Sequence, residues 1–354
     1  MRNTVAVVAV AIVLVMLIAF SGTVSAAPDN RTVFLDTGYE EVGEVSLNGT
    51  TYGIYRYESA VPYASGYEFF ADGERVDDSE NAQRVARAYA WKTALNEEMN
   101  QSDIETLRDV GTTANRAGAV ISTPLSGVET ALGAVDAAKE RERLGVSVWD
   151  VAVSAVPQLS GIDSSLRTVR DELERWEERI GEIGEDVTRV ADEAESVRAG
   201  GEAEYNELPA LFEDASEGLA EAEDISSGIA NDISDAALLA GGIADELEDV
   251  DRVGDDLASP FRSLSSSLEE VRATVEGFSE SSRAAREAVE ATHESATAEE
   301  KSLKTGWNTR QTAGLRVYGT VVVLLLLTVA VGYGYRRRNK LKEWYSAKDT
   351  RPDE

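Results

Sequence analysis

The stretch "LSGIDSSLRTVRDELERWEERIGEIGEDVTRVADEAESV", residues 159–197, decides the fold. Leu159, Ile162, Leu166, Val169, Leu173, Trp176, Ile180, Ile183, Val187, Val190, Ala194 and Val197 recur at alternating steps of three and four, and all are apolar. That spacing puts them on one stripe of a helix, a packing seam that faces another helix. The residues between them are mostly Glu, Asp and Arg, which suit a solvated face. Gly200-Gly201 interrupts the seam. It resumes at Tyr205, Leu208, Phe212, Ala215, Leu219 and Ala222, passes through Ile229 and Ile233, and continues beyond 236 with Ile243, Leu247, Leu257, Phe261, Leu264, Leu268, Val271, Val275, Phe278 and Val289.

Two geometries satisfy this seam. One is a rod of up to ~200 Å that pairs with a second chain. The other turns back at Gly200-Gly201 and again near 254–260, giving three helices of roughly 60 Å that pack on one another. Glycine pairs and Pro260 are costly inside a rod, and small residues on the seam suit close antiparallel packing. The folded form is therefore favoured, with self-association left open. The expected fold class is mainly α: long heptad-patterned helices in antiparallel coiled-coil hairpins or a bundle.

Ahead of the seam the pattern changes twice. Within 27–78, "GEVSLNGTTYGIYRYES" sets two β-rich runs around Asn48-Gly49, the signal of a type I′ hairpin, and "GYEFFADGERVDD" repeats the idea at Asp72-Gly73. These predict a small antiparallel β meander, whose many aromatics are expected on its buried face. From 79 to 157 the period is helical. One helix is expected over 79–100. A capping box, Ser102-Asp103-Ile104-Glu105, predicts the start of a second, and Thr123-Pro124 the start of a third. A short apolar helix is expected near 146–156. The coiled-coil helices are expected over 158–305.

Both ends read as membrane-related. Residues 317–335 carry no charge over nineteen positions, about 28 Å of helix, close to the hydrocarbon thickness of a bilayer. Trp307 and Tyr318 lie on one side of this run, and Tyr333, Tyr335, Trp344 and Tyr345 on the other. Arg336, Arg337, Arg338, Lys340 and Lys342 set the topology by the positive-inside rule. A C-terminal transmembrane helix is expected over 317–335, after a juxtamembrane stalk at 306–316 and before a basic cytoplasmic tail at 336–354. At the other end, Arg2, an apolar run over 5–20 and Val24-Ser25-Ala26 predict a signal peptide over 1–26, with an uncleaved anchor as the rival. Either way residues 27 to about 314 are expected outside the cell membrane. Three sequons, at Asn30, Asn48 and Asn100, fall on that side and are candidates for N-glycosylation.

Composition narrows the chemistry. The chain holds 65 acidic and 34 basic residues. Setting aside residues 1–26 and the tail after Tyr335, 61 acidic residues face 26 basic ones, a net charge of −35. That balance argues against nucleic acid as a partner, and none is expected. There is no cysteine and one histidine, His293, expected in solvent. Thiol redox chemistry is excluded, and a zinc site or nucleophilic triad lacks its parts. No cofactor, no metal and no catalytic residue are expected.

Acid excess, only seven lysines, a helical stalk and a C-terminal span resemble single-pass cell-surface membrane proteins of haloarchaea with an acidic coiled-coil ectodomain. The resemblance is one of architecture and composition. It implies that the charge is an adaptation to molar salt, where the Debye length is about 3 Å. Haloarchaeal surface-layer glycoproteins carry Pro-Gly-Phe before the span; this chain has none, which implies a retained anchor. The expectation is a non-enzymatic envelope scaffold of a halophilic archaeon, recruiting other envelope or membrane proteins through its helices in surface organisation, shape or division. A sensory or accessory subunit that passes a ligand signal to a membrane partner is the alternative. An envelope hydrolase comes last, since no constellation supports it.

Overall fold

The computed structural model describes residues 36–59, 64–143, 146–201, 203–250 and 254–348. The expected signal peptide and Asn30 lie outside these residues, as do the side chains of 313–322, 335–336, 339–340 and 342–348. The elements in chain order are β1 (Asp36–Leu47), β2 (Thr50–Ser59), β3 (Gly66–Ala71), β4 (Glu74–Arg75), α1 (Ser79–Glu97), α2 (Gln101–Asn115) and α3 (Ala117–Glu140). There follow β5 (Glu142–Arg143), β6 (Val146–Ser147), α4 (Val148–Ala155), a 3-10 turn at Pro157–Gly161, α5 (Ile162–Arg198), α6 (Leu208–Glu248) and α7 (Gly254–Lys348). They form two compact units. One comprises the chain up to Tyr89 together with Glu299 onward, the other Ala90–Ala298.

The first unit holds an antiparallel sheet in the order β1-β2-β3-β4. Its turns follow from their residues. Asn48 (φ 52°) and Gly49 (φ 76°) both take left-handed conformations, as a two-residue type I′ turn requires, and Asp72 (φ 51°) and Gly73 (φ 80°) do the same. Val45, Ile54 and Phe69 are fully buried on one side of the sheet. Ile54 stands opposite Phe69 across the β2–β3 ladder. Register shifts between Asp36 and Gly38 and between Glu41 and Gly43 break the edge strand β1. The Val42 carbonyl at the second shift accepts a 3.0 Å hydrogen bond from the Tyr89 hydroxyl of α1. Asp78 caps α1 by accepting from the Asn81 amide at 2.9 Å.

The second unit is an antiparallel bundle of α2, α3, α5, α6 and the first part of α7. Arg108 of α2 pairs with Asp192 and Glu195 of α5, while Lys139, at the end of α3, pairs with Asp163 near the start of α5. Rising numbers in α2 and α3 thus meet falling numbers in α5. The chain turns at Gly200 (φ 82°), and α6 runs back along α5: Arg189 meets Glu207, Arg179 meets Glu221 and Trp176 meets Ser226. Then α7 runs back along α6, pairing Ser265 with the Ala237 carbonyl, Arg272 with Ser234 and Arg283 with Glu223. Leu264 of α7 lies beside Gly127 of α3, which closes the ring. The folded geometry is the one adopted.

Several local expectations give way. The capping box lies two residues earlier: Asn100 is the cap and Asp103 its reciprocal partner, because Asn100 reaches the Ser102 and Asp103 amides at 2.7 and 3.2 Å. Pro124 starts no helix. It sits inside α3, which begins at Ala117, and Pro260 likewise sits inside α7. Both prolines lie past the first turn, so each removes a backbone hydrogen bond that the packing of its helix has to offset, and Pro124 is buried on the packed face of α3. The short apolar helix begins at Val148, after a two-strand ladder of β5 with β6. His293 is half-buried, its ring 5.8 Å from Trp91. The C-terminal transmembrane helix expected over 317–335 falls on α7 but is not supported: among the described residues no helix is long and apolar enough to cross a membrane. The described side chains of that segment begin only at Val323.

Candidate functional site

The seam of α5 is where the sequence concentrates its signal. Leu159, Leu173, Trp176, Ile180, Val187 and Val190 are fully buried, and Ile162, Leu166, Val169 and Ile183 are nearly so. Each buried side chain of this size contributes roughly 1.5–3 kcal/mol relative to exposure. The seam is spent on the bundle itself. Trp176 is fixed further: its indole N–H donates to the Ser226 hydroxyl at 2.9 Å, and its ring meets Phe278 of α7 edge-on at 5.9 Å. Glycine and alanine on α6 admit this packing. Gly218, for example, faces the Ile183 side chain so closely that an added Cβ would stand 3.2 Å from it.

A second constellation, in the first unit, escaped sequence reading. Arg310 of α7 is buried and reaches Glu68 of β3, itself 4% exposed. Its Nε donates to Glu68 Oε1 at 3.1 Å, and its Nη2 stands 3.0 Å from the same oxygen. Nη1 donates to the Ala64 carbonyl at 2.9 Å. The guanidinium also lies over the Tyr57 ring, 4.4 Å from its centroid. Arg75 of β4 adds a second cation 3.4 Å from Glu68. Two glycines make this approach feasible. A Cβ on Gly66 would collide with the Gly306 carbonyl, and a Cβ on Gly306 would collide with the Tyr67 ring. Trp307, also buried, donates its indole N–H to the Val76 carbonyl at 3.4 Å. The segment expected as a stalk, 306–316, thus begins by packing on the sheet.

Arg310 left a trace in the sequence. Leu303, Trp307 and Arg310 continue the three-and-four spacing of Val289 and Ala296, so the arginine occupies a seam position. Glu68 alternates with Gly66 and Phe70 on one side of β3. What the sequence could not supply was their pairing across 242 positions.

On the same side of the sheet, Tyr39 stacks on Tyr57 at 5.8 Å, and Tyr55 meets Phe70 edge-on at 5.4 Å. Tyr39 is 37% exposed, so the aromatics are only partly the buried face expected of them. Burial, with the charges of Glu41 and Glu44 and the neighbouring Tyr39 adding, pushes the Tyr55 hydroxyl above its ordinary value and keeps it neutral. In the bundle, burial and the Asp232 carboxylate raise Glu172 of α5. The hydrogen bond from Arg108 holds Glu195 below the usual carboxylate range.

Among the described residues no group of three His, Asp or Glu side chains converges as metal ligands. Asn48 and Asn100 are both exposed, on a hairpin tip and a helix cap. Along α7, Val323, Leu324, Leu325, Leu326, Leu327, Val329, Val331 and Tyr333 are each at least 45% exposed. Arg337 and Arg338 follow, also exposed; the side chains of Arg336, Lys340 and Lys342 lie outside the described residues. Comparison with protein families, with curated proteins and with solved structures finds no match for this chain.

Proposed function

We propose that the chain is a non-enzymatic scaffold of the cell envelope of a halophilic archaeon. Residues 317–335 anchor it in the cell membrane, with the sheet and bundle outside and the basic tail in the cytoplasm. The observation that carries this reading is the exposed apolar run on α7. Among the described residues, eight large apolar side chains between 323 and 333 are 45–71% exposed, whereas the seams of both units are packed. A run of that size in water is an association surface, and a hydrocarbon layer is the cover that suits all sides of a helix. Arg337 and Arg338 beside it support the orientation.

The scaffold role draws on what surrounds the anchor. The bundle buries its seam internally, and its outer faces are carboxylate-rich, so it serves as a rigid acidic body. Partner proteins of the envelope or membrane would be recruited over those outer faces. Affinity purification of the full chain from native membranes, with mass spectrometry, tests the role. Recovery of the same envelope proteins by wild type, and their loss when exposed bundle charges are reversed, is the expected result. A chain that returns alone, or that is recovered from the soluble fraction, contradicts it.

One observation favours a second reading, the sensory or accessory subunit. The Glu68–Arg310 pair fastens the sheet to α7 seven residues before the apolar run begins. That is about 10 Å of helix. A ligand that shifts the sheet would therefore act on the helix that enters the membrane. Co-purification of a membrane kinase or transporter would select this reading over the scaffold.

A further inference from the structure

The sequon at Asn100 has a geometry that nothing in the scaffold role uses. Asn100 is exposed and in extended backbone conformation (φ −86°, ψ 174°), immediately before α2. Its Oδ1 accepts from the Ser102 and Asp103 amides at 2.7 and 3.2 Å. Its own amide donates to Asp103 Oδ2 at 2.8 Å. All the capping is done by the oxygen and the main chain. The side-chain nitrogen Nδ2 has no partner among the described residues, and Ser102, the hydroxyl residue of the sequon, is exposed beside it.

We propose that Asn100 is N-glycosylated, and that the sugar is attached without disturbing the cap. This rests on the extracytoplasmic placement proposed above. The donor is a polyprenyl-phosphate-linked oligosaccharide. A bond forms between Nδ2 and the anomeric carbon, and the anomeric carbon–oxygen bond to the phosphate breaks. The phosphate departs with the electron pair, and Nδ2 gives up one of its two protons. The product is a secondary amide whose Oδ1 still carries both cap bonds. Modification and capping thus use different atoms of one side chain.

Asn48 is the contrasting case. It is also exposed, but its sequon is folded into the hairpin: Asn48 and Gly49 form the turn, and Thr50 pairs with Leu47 in the ladder. An enzyme that must grip Asn-X-Thr in its groove has to open that ladder. At Asn100 it has only to loosen the first turn of a helix, where the amides have no intrahelical partner.

The test uses full-length chain purified from native membranes and digested with trypsin. Residues 93–108 form one tryptic peptide, and Asn100 carries its only sequon. The expected result is a glycan mass on Asn100 in this peptide. Ser102→Ala should abolish it while leaving helix content and Tm unchanged, because Asn100 still caps α2. Protease treatment of intact cells is run in parallel. An unmodified 93–108 peptide released from intact cells overturns the glycosylation alone. The same peptide unmodified and protected in intact cells overturns the outward placement as well. A glycan that persists in Ser102→Ala overturns the sequon as the determinant.

Discussion

Replacing Arg310 by Met removes the cation from the centre of the sheet–helix junction while keeping most of its volume. Glu68 is then left 4% exposed, with Arg75 3.4 Å away as its remaining counter-charge. The Ala64 carbonyl loses its donor, and the Tyr57 ring loses the guanidinium above it. Breaking a buried pair by deleting one partner costs about 3–5 kcal/mol, because the survivor is desolvated and under-compensated. Replacing both partners by apolar residues of similar size is far cheaper, often within about 1 kcal/mol of neutral. The double variant Glu68→Met with Arg310→Met should therefore recover most of the loss. The assay is native-state hydrogen exchange of the β2 and β3 amides in the full chain. At 1.4 kcal/mol per tenfold change, Arg310→Met should accelerate their exchange by two to three and a half powers of ten. Exchange in α5 and α6, in the other unit, serves as the internal reference. An acceleration below about fivefold, or a double variant worse than the single, would refute the reasoning: the pair would then be a surface-like contact rather than the fastening of the sheet.

Three further outcomes follow from the bundle and the charge. Ile180→Asp puts an unpaired carboxylate at a fully buried position and should cost about 4 kcal/mol or more, whereas Glu178→Gln, exposed on the same helix, should change stability by no more than about 0.5 kcal/mol by denaturant titration. Glu172 has a raised folded-state pKa, so its ionised form opposes folding; the penalty is full above that raised value and fades as pH falls toward the ordinary carboxylate range. Glu172→Gln should thus raise the Tm of the bundle at neutral pH and lose that advantage near pH ~4, and a variant less stable than wild type at pH ~7 would contradict it. The net −35 predicts loss of helical circular dichroism when the chain is moved from about 1 M to about 0.01 M salt, where the Debye length grows from about 3 to about 30 Å. Unchanged signal and Tm across that series would mean that charge repulsion does not limit stability.

The parts legible in the sequence are those written in short-range periodicity. The α5 seam is one, because twelve positions repeat one step pattern, and burial of a single stripe admits no other secondary structure. The two hairpins are another, because Asn-Gly and Asp-Gly supply the left-handed conformations that only a few residues tolerate. Helix boundaries were less legible where two local signals competed. Asn100 and Ser102 both suit a cap, and the better-placed oxygen won. Pro124 reads as a helix start, yet tertiary packing carries α3 through it. The Glu68–Arg310 junction was the least legible, since local pattern marks a buried position but not the partner that shares it. A charge on an apolar seam, as at Arg310, is the mark that such a partner exists.

The proposed topology, an ectodomain outside and a tail inside joined through 317–335, is directly measurable because the chain has no cysteine. Single cysteines placed at Glu178, exposed on α5, and at Arg338, exposed beyond the apolar run, are each treated with a membrane-impermeant maleimide. Full-length chain in its native cells is compared before and after permeabilisation. The Glu178→Cys chain is expected to label in intact cells, and the Arg338→Cys chain only after permeabilisation. The reverse pattern, or labelling of both positions in intact cells, would contradict it.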